Sequence, residues 1–207
     1  MFQLPEWTFE FHGHRCPFMP IGYRMGALAL QKLGVARSQD HEMRVFSEMG
    51  IAHPQTCMMD GLQAATGATF GKGMLEMLYY GKVAAIFWYP KKGAVRIALT
   101  SGFADKMAAY EFFKYRKQGI EPSQIPAAVS DEVIALVLNA TDEELFEVKP
   151  LPDFQYTPVS GSFNKAKCEV CGEYVFERYL RRKDGKLVCI PCSGHEPSEN
   201  VIHLPLK

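Results

Sequence analysis

No apolar run in this chain approaches the ~18 consecutive residues that a membrane-spanning helix needs. The longest, Val83 to Tyr89 and Val133 to Leu138, have the length of core elements. Net charge is lacking as well. Lys plus Arg and Asp plus Glu balance at 23 each, so no global field draws the protein to nucleic acid or to a membrane surface. The opening MFQLPEWTFEFHGH has neither a basic stretch nor a continuous apolar one, since Glu6 and Glu10 interrupt it, and the expectation is a cytoplasmic protein without a secretory leader. There is no internal repeat and no low-complexity tract. With 47% hydrophobic and 22% charged residues, the composition is that of an ordinary globular protein with a real core. Cysteine is scarce, and four of the six stand in two pairs near the C-terminus.

Those pairs are Cys168-x-x-Cys171 and Cys189-x-x-Cys192, with seventeen residues between them. A C-x-x-C loop turns two sulfurs toward one point, and zinc's tetrahedral preference recruits the second pair. Two disulfides are the competing reading, which a cytoplasmic setting disfavours. The expectation is one structural zinc in a small treble-clef or ribbon-like finger. From Lys165 to Lys186 there are seven Lys/Arg and four acids, a surplus that a zinc tetrathiolate nearly offsets, so Arg181-Arg182-Lys183 reads as a solvated patch.

The rest of the chain reads as interleaved helices and strands, an α+β core. A helix is expected from Ile21 to Leu33, stopped by Gly34, and a strand from Met43 to Met49. Thr56 is placed as the cap of a helix from Cys57 to about Thr66. Val83 to Tyr89, the turn at Pro90 to Gly93, and Ala94 to Leu99 form a hairpin. One amphipathic helix is expected over Asp105 to Lys117, another capped by Ser130 through Leu138, and Thr141-Asp-Glu-Glu144 is a capping box. Pro150, Pro152 and Pro158 with Ser160-Gly161-Ser162 mark a linker. The expected division is a core over 1–150, a linker over 151–164 and a finger over 165–207.

His12, His14 and Cys16 form a second constellation. In an extended segment, residues spaced by two share a side, and Pro17 biases Cys16 toward extension. Imidazoles and a thiol meeting at a helix start suit a transition metal, with Cys57, at another helix start, completing the site. Pairing Cys16 with Cys57 as a redox dithiol is the other reading. In order of weight the ligands are Cys16, His14, Cys57 and His12, and the metal is zinc, nickel or iron. Asp60 shares a helix face with Cys57 and is placed to orient a liganding histidine. Gly67-x3-Gly71-Lys72-Gly73 lacks the spacing and the Ser/Thr of a phosphate loop, which excludes nucleotide hydrolysis, although Lys72 remains a candidate for holding an anion. His53 is a weaker ligand candidate, and His41, His195 and His203 read as surface residues. Candidates for any catalysis are Cys16, Cys57, Asp60 and Lys72.

Phe11-His-Gly-His-Arg-Cys-Pro17, Thr56-Cys57-Met-Met-Asp60-Gly-Leu-Gln63 and Thr66-Gly67-Ala-Thr-Phe-Gly71-Lys72-Gly73, in that order and followed by Tyr80-Gly81-Lys82-Val83-Ala84, resemble the FmdE family of formylmethanofuran dehydrogenase proteins over about residues 5 to 150. The matching positions are His12, His14, Cys16, Cys57, Asp60 and Lys72. Members often carry Gly-Leu after the Cys-Pro, where this chain has Phe18 and Met19. The resemblance implies an α+β core, a homodimer, and a Cys/His pocket in proteins some of which accompany a molybdenum or tungsten enzyme of one-carbon metabolism. The C-terminal module resembles the zinc fingers that some members append. The leading expectation is therefore a metal-binding accessory or redox-related protein. Two others stand beside it: a zinc-finger regulator or adaptor contacting nucleic acid or polymerase, and a stand-alone metal-dependent enzyme.

Overall fold

The structure, a computed structural model, describes residues 2–50, 55–159 and 161–194. It divides into two compact units, Met1–Gln155 and Tyr156–Lys207.

In chain order the first unit has α1 (Trp7–His12), α2 (Phe18–Leu33), β1 (Arg44–Ser47), α3 (Met58–Thr66), β2 (Leu75–Met77), β3 (Ala84–Tyr89), β4 (Gly93–Leu99), α4 (Ser101–Ala108), α5 (Glu111–Lys117), α6 (Ala127–Asn139), α7 (Asp142–Leu145) and β5 (Phe146–Leu151). The strands form one sheet in the order β2-β1-β3-β4-β5. Only β1 and β2 are parallel; the other neighbours are antiparallel. The class is α+β. No helix among the described residues is long and apolar enough to cross a membrane.

On one sheet face Val45, Phe87, Val95 and Ile97 pack with Ile21, Met25 and Leu28 of α2 and Val133 and Val137 of α6. On the other, Phe46 and Ile86 are fully buried, and the Phe46 ring meets Phe154 at 5.8 Å between centroids. Glu48, also fully buried, accepts from Arg96 at two points, 2.5 and 2.9 Å. Arg24 of α2, 4% exposed, donates to the Val137 and Ala140 carbonyls at 2.6 and 2.7 Å and to Asp142 at 2.6 Å. It thereby satisfies the last carbonyls of α6, which a helix end leaves without partners. The Thr141 capping box is formed in both directions.

Several expectations are corrected. The segment Asp105 to Lys117 is two helices, with Tyr110 extended at the break (ψ 151°). Phe103 and Met107 lie on one helical face, and an unbroken helix would carry Phe112 away from it. The break returns Phe112 to the core, where it is 2% exposed. Ser130 caps nothing, because α6 starts at Ala127 behind Pro126 and Ser130 is buried inside it; proline is tolerated there since the first turn has no use for its missing N–H. Cys57, not Thr56, occupies the N-cap position of α3. Pro150 lies within β5, opposite Val95. An edge strand accepts a residue without a ladder donor. Phe87 of the β3–β4 hairpin and Phe112 are buried within this chain, Trp88, Tyr89, Phe113 and Tyr115 are half-buried, and Trp7, Phe11, Phe70, Tyr79 and Tyr80 are exposed.

In the second unit, β6 (Lys165–Lys167) pairs with β7 (Tyr174–Phe176) and β8 (Leu180–Lys183) with β9 (Lys186–Cys189), followed by α8 (Ile190–Ser193). The first cysteine pair lies in the β6–β7 turn, and the second starts at the end of β9 and runs into α8. That order, knuckle, hairpin and short helix, is a zinc-finger arrangement with Cys168, Val188 and Cys189 as its small core.

Candidate metal centre

His12, His14 and Cys16 do not converge along an extended segment. His12 is the last residue of α1, anchored through buried Thr8 and Phe9, and Gly13 ends the helix in the left-handed region (φ 89°) with its N–H on the Phe9 carbonyl at 2.8 Å. A side chain is strained at that φ, so glycine makes the reversal cheap. The chain turns back and enters α2 at Phe18, which leaves the His12 and His14 rings 4.1 Å apart between centroids, tilted by 54°, with their Nε2 atoms 3.0 Å apart. Cys16 Sγ lies 3.6 Å from His12 Nε2. The turn is held from outside by Arg15, which donates to Asp131 at 2.8 Å and Glu6 at 3.0 Å and lies over the Phe9 ring.

Cys57 arrives from a distant segment because α2 and α3 approach until their backbones touch. Gly22 faces Met58, Gly61 faces Met19 and Tyr23, and Gly26 faces Leu62, Ala65 and Thr66. Residue numbers rise together across this contact, so the helices run parallel and both N-termini point to one end. Cys16 and Cys57 sit there, where unpaired N–H groups favour negative charge. Cys57 Sγ is 3.7 Å from His14 Nε2. One donor atom from each of His12, His14, Cys16 and Cys57 lies within 4.8 Å of the other three.

Asp60, one turn into α3, accepts from His12 Nδ1 at 2.7 Å. That hydrogen bond leaves His12 Nε2 to face the cluster. Gln63 donates to Asp60 at 3.2 Å and accepts from the Phe70 N–H at 2.9 Å, tying the carboxylate to the glycine-punctuated loop. Lys72 is not with them: its Nζ donates to the Gln39 carbonyl at 2.9 Å. His53, His195 and His203 lie outside the described residues. Sequence reasoning missed Arg15 and Gln63, although both lie inside the motifs that drew attention, and Gln63 stands three residues after Asp60.

Burial opposes charge on His12, but its hydrogen bonds to Asp60 and Cys57 raise it to about 9. The hydrogen bond from Cys16 lowers the Cys57 thiol to about 4 against the cost of burial, with His12 helping. The same hydrogen bond, with burial, pushes Cys16 well up. Metal-free, the cluster is thus a Cys57 thiolate flanked by an imidazolium and a thiol. Two sulfurs and two imidazole nitrogens make a donor set suited to a zinc-class ion. Two cavities border it. One of about 340 Å³ reaches Cys16 and Cys57, and another of about 390 Å³ is bounded by His12, Cys57 and Asp60.

In the finger, Cys168, Cys171, Cys189 and Cys192 likewise bring their sulfurs within 4.8 Å. The Cys189 amide lies 3.3 Å from Cys168 Sγ and the Cys192 amide 3.5 Å from Cys189 Sγ. Backbone amides, led by that of Cys171, hold Cys168 down at about 6.

Both units have counterparts among known proteins. The family described as FmdE, Molybdenum formylmethanofuran dehydrogenase operon, matches residues 11–147, and the prokaryotic dksA/traR C4-type zinc finger matches residues 161–194. A probable S-adenosyl-L-methionine-binding protein of Archaeoglobus fulgidus is 31% identical over 196 residues, which cover 89% of this chain and 51% of that protein. The chain therefore spans about half the length of that curated relative. A crystal structure of a tungsten formylmethanofuran dehydrogenase FmdE-like protein from Syntrophus aciditrophicus superimposes with a TM-score of 0.58 at 21% identity, covering 91% of this chain and 89% of that one. At that identity the likeness is one of fold.

Proposed function

The chain belongs to the FmdE family, and on that premise we propose that it is a metal-binding accessory protein. Its core holds a zinc-class ion on His12, His14, Cys16 and Cys57, its finger zinc is structural, and it serves a molybdenum or tungsten enzyme of one-carbon metabolism. The observation that carries this reading is the convergence of four soft and borderline donors from two distant segments within 4.8 Å. Electrostatics support it. A dication on two thiolates and two neutral imidazoles is a neutral centre, which a buried site tolerates far better than an unbalanced charge. Asp60 keeps the His12 Nδ1 proton, and the starts of α2 and α3 favour the thiolates. With all four donors bound, a zinc-class ion there would be coordinatively filled, and Lewis-acid chemistry would require one of them to be displaced. In the finger, four thiolates close the tetrahedron, and its role is to hold the fold. The family context and the exposed Trp7, Phe11, Phe70, Tyr79 and Tyr80 support a homodimer.

Elemental analysis tests the central claim. The unmodified protein is expected to carry two metal equivalents per chain, and the Cys16→Ala/Cys57→Ala protein one. Equal metal content in the two proteins sinks the core site. Light scattering that gives a monomer at micromolar concentration removes the dimer, and a metal-loaded protein that never copurifies with a molybdenum- or tungsten-containing oxidoreductase removes the partner.

A further inference from the structure

The cavity of about 340 Å³ beside the thiols differs from its neighbour in a way that names a ligand class. Its inner end is Cys16, 2% exposed, and Cys57. Its sides are carbon: Phe18, Phe112, Phe113 and Pro122, the three rings being stacked edge to face through Phe113 at 6.1 and 5.3 Å. Its charged groups are Arg116 and Lys117, and none of its nine described lining residues is acidic. The other cavity has Asp60 in its lining and no cation besides His12. Arg116 is clamped at Nη1 by the Ile120 carbonyl at 2.6 Å and by Glu121 at 3.1 Å, which holds the guanidinium in place and offsets part of its charge. Lys117 is exposed and has no ion-pair partner among the described residues. A pocket of this size, mostly apolar with a few placed polar groups, has the character of a small-molecule site.

We infer that this cavity binds a small organic anion with an apolar body. The body lies against Phe18, Phe112 and Phe113, the anion meets Arg116 and Lys117, and the far end of the ligand faces the thiol pair. The inference deepens the proposed function and rests on it only for what occupies the thiol end.

Titration calorimetry of the full chain with 2-naphthoate and its neutral counterpart 2-naphthamide tests it, with metal content measured on the same samples. Naphthoate is expected to bind about tenfold more tightly than the amide, the size of one charge-assisted contact. Arg116→Met with Lys117→Gln should abolish that preference, and Phe113→Ala should weaken both ligands alike. Circular dichroism checks that each variant folds. Equal affinity for the two ligands on the unmodified protein, binding of neither, or a preference that survives the double variant overturns the inference. Preferential naphthoate binding to protein that holds only the finger zinc refutes the core-metal reading and leaves this one standing.

Discussion

Gly61→Ala should loosen the core metal without touching a ligand. A methyl group on Gly61 would lie 2.1 Å from the Met19 carbonyl oxygen, 2.5 Å from the Tyr23 nitrogen and 2.8 Å from the Gly22 carbonyl carbon. All three are backbone atoms, so no side chain can swing aside. A close carbon–oxygen contact is about 3.3 Å, so α2 and α3 must part by roughly 1 Å. Overpacking of this kind costs about 1–3 kcal/mol, and a backbone-on-backbone contact belongs at the upper end. Helix propensity returns up to ~1 kcal/mol for Gly to Ala. The net loss is about 2 kcal/mol, or a Tm lower by roughly 4–8 °C for a chain of this size. The larger effect is on metal. Cys16 precedes one of these helices and Cys57 caps the other, while ligand distances tolerate only about ±0.2 Å. Core metal affinity should fall on the order of 10- to 100-fold, the usual penalty for disturbing a site from outside its ligands. Chelator competition measures it, with the finger zinc as an internal reference that does not change. Gly102→Ala is the control, since that helical position faces open space and should be neutral or stabilising by up to ~1 kcal/mol. A Gly61→Ala protein with unaltered Tm and two equally retained metals would refute the claim that the glycine contact sets the site.

Arg96→Met leaves the Glu48 carboxylate buried without its partner and should cost about 3 kcal/mol in urea unfolding of the core; a change below ~0.5 kcal/mol would mean that Glu48 finds another cation. Cys171→Ser opens the finger's tetrahedron and forfeits zinc binding on the order of 10 kcal/mol, so proteolysis should remove the C-terminal unit and leave the core's melting transition unchanged. In metal-free protein Cys57 should be the first core thiol alkylated. Its thiolate, held near 4, exists above that pH and is lost below it, so labelling at pH 6 that favours Cys16 would contradict the assignment.

What the residues determine by themselves here is local. Each Cys-x-x-Cys knuckle turns its two sulfurs together within four residues, and the Thr141–Glu144 box, the Gly34 stop and the Pro90–Gly93 turn are equally short-range. Chain order and hydrophobic period were enough for an α+β class and for α2, α3, α6, α7, β1, β3 and β4, while α1, β2, β5 and the short strands of the finger went unread. They failed where packing outweighed local preference. The break at Tyr110 exists because Phe112 is worth more in the core than an unbroken helix is. Pro150 joins β5 because only the sheet reveals that this strand lies at its edge. The candidate centre divides along the same line. His12, His14 and Cys16 were legible as donors from their proximity in sequence, but the turn that gathers them depends on α1, a helix stabilised by burying Thr8 and Phe9. That Cys57 meets them, and that Asp60 accepts the hydrogen bond from His12 Nδ1, was decided by α2 and α3 pressed together at Gly22, Gly26 and Gly61. Gly22 and Gly26 stand one helical turn apart, yet that spacing does not name what lies opposite; the missing side chain becomes meaningful only when another backbone occupies its place.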